Sequence, residues 1–424
     1  MADDTADPGA DIRDRMRAAG ILASGDPQVV LTGGAQAQEI RDFLSRSQIP
    51  YEFRPGEGSE SEVVCVVRDD AELVDPTLVE LGTALGIVAP PQRETYDVAI
   101  IGAGPAGLAA AVYGASEGLS TVVVERYAPG GQAGTSSRIE NYLGFPDGIS
   151  GFELADRARR QAQRLGAEFL VLREVVSEAH VGAPHGATLD DGTQIGARSV
   201  VCATGVDWRR LPAEGVDGLV GRGVYYGAAA SEAPGLTGND VIVVGGGNSA
   251  GQAAVFFSDW ARSVTIAIRG DGLSSSMSAY LLDKVDQIDN IRVAPHTEVD
   301  AVTGDDWLRS AVLRDNRDGS TRTVEPHALF ICIGGEPRTE WAVEAGLAVD
   351  QRGYLRTGLD AVTDAWPLER DPFLLETSQP GLFAIGDVRH GSTKRVSTAV
   401  GEGAMAIKLV HDRLLEVEGA ATSL

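Results

Sequence analysis

Residues 97–125 read DVAIIGAGPAGLAAAVYGASEGLSTVVVE, and the rest of the chain is organised around this stretch. Its pattern predicts a buried strand, a glycine turn, a helix and a second strand. Gly102, Gly104 and Gly107 stand at G-x-G-x-x-G spacing. The first glycine permits the turn, the second lets the backbone approach a pyrophosphate, and the third lets the helix pack on the strand. Glu125 ends the second strand, where a carboxylate can accept the hydroxyls of an adenosine ribose, so the stretch predicts a dinucleotide-binding unit.

The same unit returns without a gap 143 residues later, where residues 240–269 read DVIVVGGGNSAGQAAVFFSDWARSVTIAIR. This pattern indicates an internal duplication. The repeat keeps two glycines and replaces the third by another small residue, at Gly245, Gly247 and Ala250. Ile268 stands where the first copy has Glu125, and Arg269 follows it. A lost ribose-binding acid beside a new cation suits a 2′-phosphate, so the second unit is predicted to bind NADPH rather than NADH.

The composition is that of an ordinary globular chain, with 424 residues of which 43% are hydrophobic, enough for two or three domains. A formal net charge of −25 argues against partners such as nucleic acid or an anionic membrane, because an acidic surface repels phosphate. The acidic N-terminal residues do not resemble a signal peptide, and we expect a cytoplasmic location. The three cysteines, Cys65, Cys202 and Cys332, are widely separated, which argues against a disulfide framework and a metal site.

A small domain is predicted ahead of the first glycine unit. It is preceded by an acidic, solvated tail over residues 1–25 and followed by a proline-bearing linker over residues 89–95. Residues 26–88 show a strand, an amphipathic helix, two more strands and a second helix. This domain resembles a shortened thioredoxin or glutaredoxin, but the position of that family's Cys-x-x-Cys, residues 33–37, reads GGAQA. A docking or dimer-stabilising role and a degenerate structural appendage are both open.

Two further segments carry candidate ligand contacts. A long connection after Glu125 contains a Gly-Gly-Gln sequence, and connections of this length in compact folds are usually functional. Near the C-terminus a short strand ends in Gly386 and Asp387, and a helix is predicted over about residues 398–415. Ligands of open α/β sheets collect at strand ends of this kind, so Asp387 is a candidate contact.

Through these features the chain resembles the two-domain flavoprotein disulfide reductases. The features that carry the resemblance are GAGPAG, Glu125, the Gly-Gly-Gln loop, GGGNSA and the C-terminal AIGD before a helix. The similarity is closest to the low-molecular-weight thioredoxin reductases and covers roughly residues 96–415. It implies an α/β fold of two Rossmann-like domains. FAD would be bound by residues 96–207 and 336–424, and NADPH by residues 208–335, with the thioredoxin-like domain added at the N-terminus. The resemblance also implies a homodimer.

The resemblance assigns cofactor contacts to particular residues. It implies that the FAD pyrophosphate and adenosine ribose are held by Gly102, Gly104, Ala106, Gly107 and Glu125. The flavin ring and ribityl chain would contact Gly131, Gln132, Asn141, Asp387 and the backbone of Val396. A helix N-terminus at Val396 would suit the negative charge of a reduced flavin. NADPH would be held by Gly245, Gly247, Asn248, Ser249 and Arg269.

The chain departs from this family at two places. The family's redox Cys-x-x-Cys lies between the two glycine units and here falls on residues 227–230, which read GAAA. Attack on a disulfide needs a thiolate, so the ordinary thioredoxin reductase reaction is not expected. The family's His-Arg-Arg phosphate clamp is reduced to Ile268, Arg269 and Gly270.

Three functions are consistent with these features. The first is an NADPH-dependent FAD reductase whose flavin passes electrons directly to an acceptor that the sequence does not identify. The second is a flavoprotein oxidase or tailoring enzyme that oxidises a small metabolite with O2 as acceptor, and His390 is its candidate base because imidazole exchanges protons near physiological pH. The third is a non-catalytic flavin-binding regulatory protein. By analogy, the polar candidates near the flavin are Tyr225, Tyr226, Glu232, Arg389, His390 and Lys394.

Overall fold

The computed structural model describes most of the chain. The described residues are 26–34, 37–56, 62–68, 71–136, 138–179, 185–227, 230–305 and 307–421. The predicted tail over residues 1–25 lies outside them, as do parts of both segments on which a Cys-x-x-Cys would fall. None of the helices in these ranges combines the length and the apolar character needed to cross a membrane.

The N-terminal module is a four-stranded sheet with two helices. Its elements are β1 (Val29–Gly33), α1 (Gln38–Arg46), β2 (Tyr51–Pro55), β3 (Val64–Val67), β4 (Ala71–Val74) and α2 (Leu78–Ala84). The strand order is β2-β1-β3-β4, with β1 parallel to β2 and antiparallel to β3. The sequence prediction of three strands misses β4, which pairs with β3 at the sheet edge and is only partly buried. A short, half-exposed edge strand lacks the apolar run that marks a buried one.

The first glycine unit begins a larger, mainly parallel sheet. Its elements up to the first domain crossing are β5 (Thr95–Ile101), α3 (Pro105–Ser116), β6 (Thr121–Glu125), α4 (Gly131–Gly134), α5 (Gly151–Leu165), β7 (Glu168–Val171), β8 (Val175–Ala179), β9 (His185–Leu189) and β10 (Gln194–Cys202). β5 lies between β6 and β10, with β7 outside β6, and these pairs are parallel. β9 and β8 continue from β10 as an antiparallel ribbon. β5 begins at Thr95, inside the predicted linker.

The second glycine unit lies in a five-stranded parallel sheet. The elements of this part are β11 (Asp207–Trp208), β12 (Val224–Tyr226), β13 (Asp240–Val244), α6 (Asn248–Ser258), β14 (Ser263–Ala267), α7 (Ala279–Gln287), β15 (Ile291–Ala294), β16 (Thr297–Gly304), β17 (Leu308–Asp315), β18 (Thr321–Val324), β19 (Ala328–Ile331) and β20 (Gly335–Glu336). The sheet order is β12-β19-β13-β14-β15, and β16, β17 and β18 form a separate antiparallel sheet. β11 and β20 pair antiparallel where the chain leaves the first sheet and returns to it.

The C-terminal segment completes the first sheet. It contains α8 (Glu340–Glu344), β21 (Leu382–Ala384) and α9 (Val396–Ala421). β21 pairs parallel with β10, and α9 packs against α3. α9 is longer at both ends than the predicted helix. Its small residues let the two helices approach closely, since a Cβ on Gly403 would overlap the carbonyl oxygen of Ala106.

The duplication is visible in the fold as well as in the sequence. In each unit a parallel strand pair is joined through a glycine turn and a helix. The carboxylate of Asp97 accepts hydrogen bonds from the backbone N–H and hydroxyl of Ser120, at 2.9 and 2.7 Å. At the equivalent positions of the repeat, Asp240 accepts from the hydroxyl of Ser263 at 2.7 Å. The predicted class of two Rossmann-like units is therefore confirmed.

Candidate dinucleotide sites and the segment between them

The first glycine turn is closed by backbone contacts that exclude side chains. Gly102 has a φ of +102°, and a Cβ there would lie 2.5 Å from the carbonyl oxygen of Ala203 in the neighbouring connection. A Cβ on Gly107 would overlap the carbonyl oxygen of Gly102. The packing of the protein itself therefore requires glycine at these two positions, whether or not a ligand is bound.

Gly104 has a different environment from its two neighbours in the motif. It is the N-cap of α3, its backbone is extended, and no side chain caps the helix. The nearest heavy atom to a Cβ on Gly104 would be the Cα of Gly131, 3.9 Å away. The N–H groups of the first turn thus have no side-chain acceptor, whereas α5 is capped by Ser150. An uncapped helix N-terminus without a side chain in front of it fits a pyrophosphate.

The acid of the first unit lies beside this turn. One carboxylate oxygen of Glu125 accepts the backbone N–H of Ala103 at 2.8 Å, and the other accepts that of Tyr127 at 2.9 Å. The residue is 8% exposed, and this burial raises its pKa against the lowering effect of the two hydrogen bonds. The carboxylate is therefore fixed at the position that the sequence spacing predicts.

Other predicted FAD contacts converge on the same turn. A Cβ on Gly131 would lie 3.0 Å from the Cα of Gly104, so the Gly-Gly-Gln segment faces the first turn. A Cβ on Gly386 would lie 2.9 Å from the Cβ of Ala106, which brings the strand end carrying Asp387 to this edge. The side-chain amide of Gln132 donates to the carbonyl oxygen of Val206.

The two remaining predicted contacts differ in what the structure shows. Val396 is the first residue of α9, as the predicted role of its backbone requires. Asn141 is exposed in the long connection after β6. Burial raises the pKa of Asp387, whose carbonyl oxygen accepts a hydrogen bond from Lys394.

Sequence reasoning missed Glu402, which holds the Asp387 turn in place. This buried residue of α9 accepts the backbone N–H of Gly386 at 2.7 Å and pairs with Arg389 at 2.5 Å. A glutamate among the small residues of a buried helix face was the available signal, since a buried charge needs a partner.

The second glycine turn repeats the geometry of the first. Gly245 has a φ of +132°, and a Cβ there would overlap the carbonyl oxygen of Cys332. Gly247 is an uncapped, extended N-cap, with the carbonyl oxygen of Ser276 at 4.0 Å as the nearest atom to a Cβ. The side chain of Asn248 accepts the backbone N–H of Ser278 at 2.8 Å. The turn is thus open to a second pyrophosphate.

Two further residues that are predicted to contact NADPH lie in α6 and after β14. Ser249 is the second residue of α6, in its first turn. Arg269 is exposed and is the second residue after the end of β14.

The predicted catalytic residues between the units are engaged in the protein interior. Tyr225 and Glu232 are both buried, and the Tyr225 hydroxyl donates to the carboxylate of Glu232 at 3.1 Å. The hydroxyl of Tyr226 accepts the backbone N–H of Leu211 at 3.0 Å. These contacts give each of the three a structural partner, and their catalytic assignment stays a prediction.

Residue 227, the first position of the segment on which the family resemblance places a Cys-x-x-Cys, is closely packed. Gly227 has a φ of +78°, and a Cβ there would lie 2.7 Å from the ring of Trp208. The cysteines of the chain are elsewhere: Cys65 in β3, Cys202 at the end of β10 and Cys332 after β19, all of them buried. Burial raises the pKa of Cys65 to about 11 and that of Cys332 to about 12, so these two thiols are poor nucleophiles at neutral pH.

The other predicted catalytic residues line a basic cavity of about 420 Å³. His390 Nδ1 donates to the carboxylate of Asp350 at 2.7 Å, and Lys394 lies 4.2 Å from the ring centre of Tyr354. Burial raises the pKa of Asp350, but hydrogen bonds from His390 and two backbone N–H groups have a larger, opposite effect. The net shift of this pKa is therefore downward. The basic side chains that line the cavity are Arg352, Arg356, Arg389, His390 and Lys394.

No metal centre is found in the described part of the chain, where no three His, Cys, Asp or Glu side chains are arranged to hold an ion.

Comparison with known proteins identifies the family. The family model described as "Pyridine nucleotide-disulphide oxidoreductase" matches residues 96–403. A thioredoxin reductase from Streptomyces clavuligerus is 37% identical over 314 residues, which cover 74% of this chain and 92% of that protein. The crystal structure of Lactococcus lactis thioredoxin reductase in its FR conformation has a TM-score of 0.67 at 30% identity, covering 76% of this chain and 99% of that chain. The T. acidophilum enzyme has a TM-score of 0.67 at 28% identity, covering 76% of this chain and 100% of that one. The chain therefore belongs to the pyridine nucleotide-disulphide oxidoreductase family and has the thioredoxin reductase-like fold of FAD- and NADPH-dependent oxidoreductases.

Proposed function

We propose that the chain is an NADPH-dependent FAD oxidoreductase that passes electrons to its acceptor without a dithiol. The observation that carries this proposal is the segment over residues 227–230, which has alanines and a glycine where the family has its redox pair. All three cysteines of the chain are buried. Thiol–disulfide exchange needs an accessible thiolate, so electrons must leave the flavin by another route.

The residues of the first unit fit FAD. The uncapped N-terminus of α3 at Gly104 would hold the pyrophosphate, with Ala106 beside it, and Glu125 would accept the ribose hydroxyls. Gly131, Gln132, Asn141 and Asp387 would contact the flavin ring and ribityl chain. When bound, FAD supplies a two-electron carrier that NADPH can reduce. The N–H groups at the start of α9, beginning with Val396, would stabilise negative charge there.

The second unit would hold NADPH. Its uncapped α6 N-terminus at Gly247 repeats the pyrophosphate geometry, with Asn248 and Ser249 in the first turn. Arg269 is exposed beyond β14, at the end of the strand where a 2′-phosphate would lie. This site supports reduction by NADPH rather than a purely structural role for the fold.

Anaerobic mixing of the FAD-loaded protein with NADPH, and separately with NADH, tests the proposal through the visible absorbance of the flavin. We expect bleaching by NADPH, faster than by NADH. A protein in which Cys65, Cys202 and Cys332 are replaced by alanine should bleach at the same rate. Absence of bleaching with either nucleotide would overturn the proposal and favour a flavin-binding protein without turnover.

A second candidate function is oxidation of a small anionic metabolite, and the basic cavity supports it. Five cationic or imidazole side chains line this cavity in a chain whose net charge is −25. Asp350 holds the imidazole of His390, whose second nitrogen can take a proton. Under this alternative, small metabolites that carry both a carboxylate or phosphate and an oxidisable group, such as an alcohol or amine, reduce and bleach the flavin without NADPH, and the variant His390→Gln loses that bleaching. Bleaching by NADPH alone would exclude it.

A further inference from the structure

Helix α1 of the N-terminal module contacts both dinucleotide-binding domains. We propose that α1 is a positioning element of the flavin site, in which Arg46 holds the Gly-Gly-Gln segment and Arg41 connects the same helix to the NADPH domain. The inference rests on the proposed function, because it assumes that the segment at Gly131 contacts the flavin. It assigns a role to a module that lies outside the family match over residues 96–403.

The contact with the FAD domain is made by charged and aromatic side chains. The guanidinium of Arg46 donates to the carbonyl oxygen of Gly131 at 3.0 Å and lies 4.9 Å from the ring centre of Tyr127. The hydroxyl of Tyr127 donates to Asp42 of α1 at 3.0 Å. The side chain of Arg46 is 17% exposed, so water competes little for these bonds. A residue of the module thus fixes the first carbonyl of α4.

An apolar contact fastens the module to the same domain. Leu81 and Leu85 of the module belong to one buried cluster with Leu172 of the FAD domain. A Cβ on Gly82 of α2 would lie 2.7 Å from the side chain of Leu172, so the two surfaces approach closely. The module is therefore packed onto the FAD domain and is not free to drift from it.

The contact with the NADPH domain is made by the opposite part of α1. Arg41 pairs with the carboxylate of Glu232 at 3.6 Å, and both side chains are at most 20% exposed. Glu232 lies in the short helical segment Ala230–Leu236, two residues after the end of the segment 227–230. It also accepts a hydrogen bond from Tyr225. A Cβ on Gly221 would lie 3.8 Å from the side chain of Gln38. α1 therefore contacts the NADPH domain beside the segment that lacks the redox pair.

A single nine-residue helix carries both sets of contacts. Because the helix is rigid over this length, the NADPH domain cannot shift relative to the FAD domain without breaking the Arg41–Glu232 pair or disturbing the Arg46–Gly131 bond. The module thus couples the orientation of the NADPH domain to the position of the flavin segment.

Point variants test this coupling in the full-length protein. The variants are Arg41→Gln, Arg46→Gln, their combination, and Arg46→Lys as the conservative change. Arg54→Gln is the matched control, because Arg54 pairs with Glu52 of the same strand, β2, and its side chain is 60% exposed. Two readouts apply: amide hydrogen exchange of α4, followed with and without NADP⁺, and the rate of flavin reduction by NADPH. Thermal unfolding shows that each variant remains folded.

Loss of the Arg46 bond should increase hydrogen exchange in α4, with partial recovery in Arg46→Lys and no change in Arg54→Gln. Arg46→Gln should lower the rate of flavin reduction by NADPH about tenfold, because the variant removes a hydrogen bond from a charged donor. Arg41→Gln should slow reduction and leave α4 exchange in the free protein unchanged. The double variant should be no slower than the slower single variant, because either change uncouples the same link.

Two results would overturn the inference: unchanged α4 exchange in Arg46→Gln, or effects of the two changes on the rate that simply multiply. If the wild-type protein binds FAD but is not bleached by NADPH, the proposed function fails. The exchange comparison then still decides whether α1 positions the segment.

Discussion

Replacing Gly104 by alanine is expected to lower FAD affinity without lowering the stability of the ligand-free protein. Gly104 has an ordinary extended backbone, and among the described residues beyond its chain neighbours the atom nearest to a Cβ there would be 3.9 Å away. The protein alone therefore has room for the methyl group. If the α3 N-terminus binds a pyrophosphate as we propose, that methyl group occupies the space of the ligand.

The expected magnitudes differ widely for the two effects. Alanine is a poorer N-cap than glycine, but it also reduces the freedom of the unfolded chain by about 0.4–1 kcal/mol, so the stability without ligand should change by less than about 1 kcal/mol. Two hydrogen bonds to a charged phosphate are worth about 1.5 kcal/mol or more each, and their loss lowers FAD affinity by at least about 100-fold.

The assay compares three variants by FAD affinity, NADP⁺ affinity and urea unfolding of the ligand-free protein. Gly104→Ala should lose FAD and keep its stability. Gly247→Ala, the equivalent change in the second unit, should keep FAD and lose NADP⁺. Gly107→Ala should be destabilised even without ligand, because its Cβ would overlap Gly102. Retention of FAD by Gly104→Ala, or its loss in Gly247→Ala, would refute the assignment of the two sites.

Three further changes have defined outcomes. Gly227→Ala places a Cβ 2.7 Å from the ring of Trp208 at a φ of +78°, and urea unfolding should show a loss of about 1–3 kcal/mol. Burial raises the pKa of Asp97, but hydrogen bonds from Ser120 and Arg198 outweigh burial, so the net shift is downward. The Asp97 carboxylate therefore stabilises the folded state above its unfolded pKa of about 3.9, and this stabilisation is lost as pH falls through the lower folded value. Asp97→Asn should therefore cost about 2 kcal/mol near neutral pH, and the difference from wild type should shrink in acid unfolding below about pH 4. Arg269→Ala should reduce the preference for NADPH over NADH about tenfold, measured as the ratio of kcat/KM values for flavin reduction.

The glycine turns and Glu125 could be predicted from the sequence because their function depends on local spacing. A tight turn, a close backbone approach and an acid at the next strand end all lie within one strand–helix–strand unit. The duplication then identified the second turn at Gly245 without structural information. The helix predicted from about residue 398 begins at Val396, the residue whose backbone the family resemblance placed at the flavin.

The residues that hold these parts together could not be predicted in this way. Glu402 bonds to Gly386, which lies 16 residues earlier in the chain, and Arg46 bonds to Gly131, which lies 85 residues later. Glu232 is paired with Tyr225 and Arg41, and the sequence indicated neither contact. Such pairs depend on how the elements pack, and in the sequence Arg41 and Arg46 resemble ordinary surface charges.

The central claim is that no dithiol takes part in electron transfer, and an anaerobic reductive titration tests it most directly. The FAD-loaded protein is titrated with dithionite, and the electrons needed for full bleaching are counted per FAD. A flavin alone takes up about two electrons, and a flavin with a redox-active dithiol takes up about four, because the disulfide is itself a two-electron couple. We predict two electrons per FAD, unchanged in protein that has first been reduced and then treated with a thiol-blocking reagent. An end point of four, lowered to two by reduction followed by thiol blocking, would contradict the account.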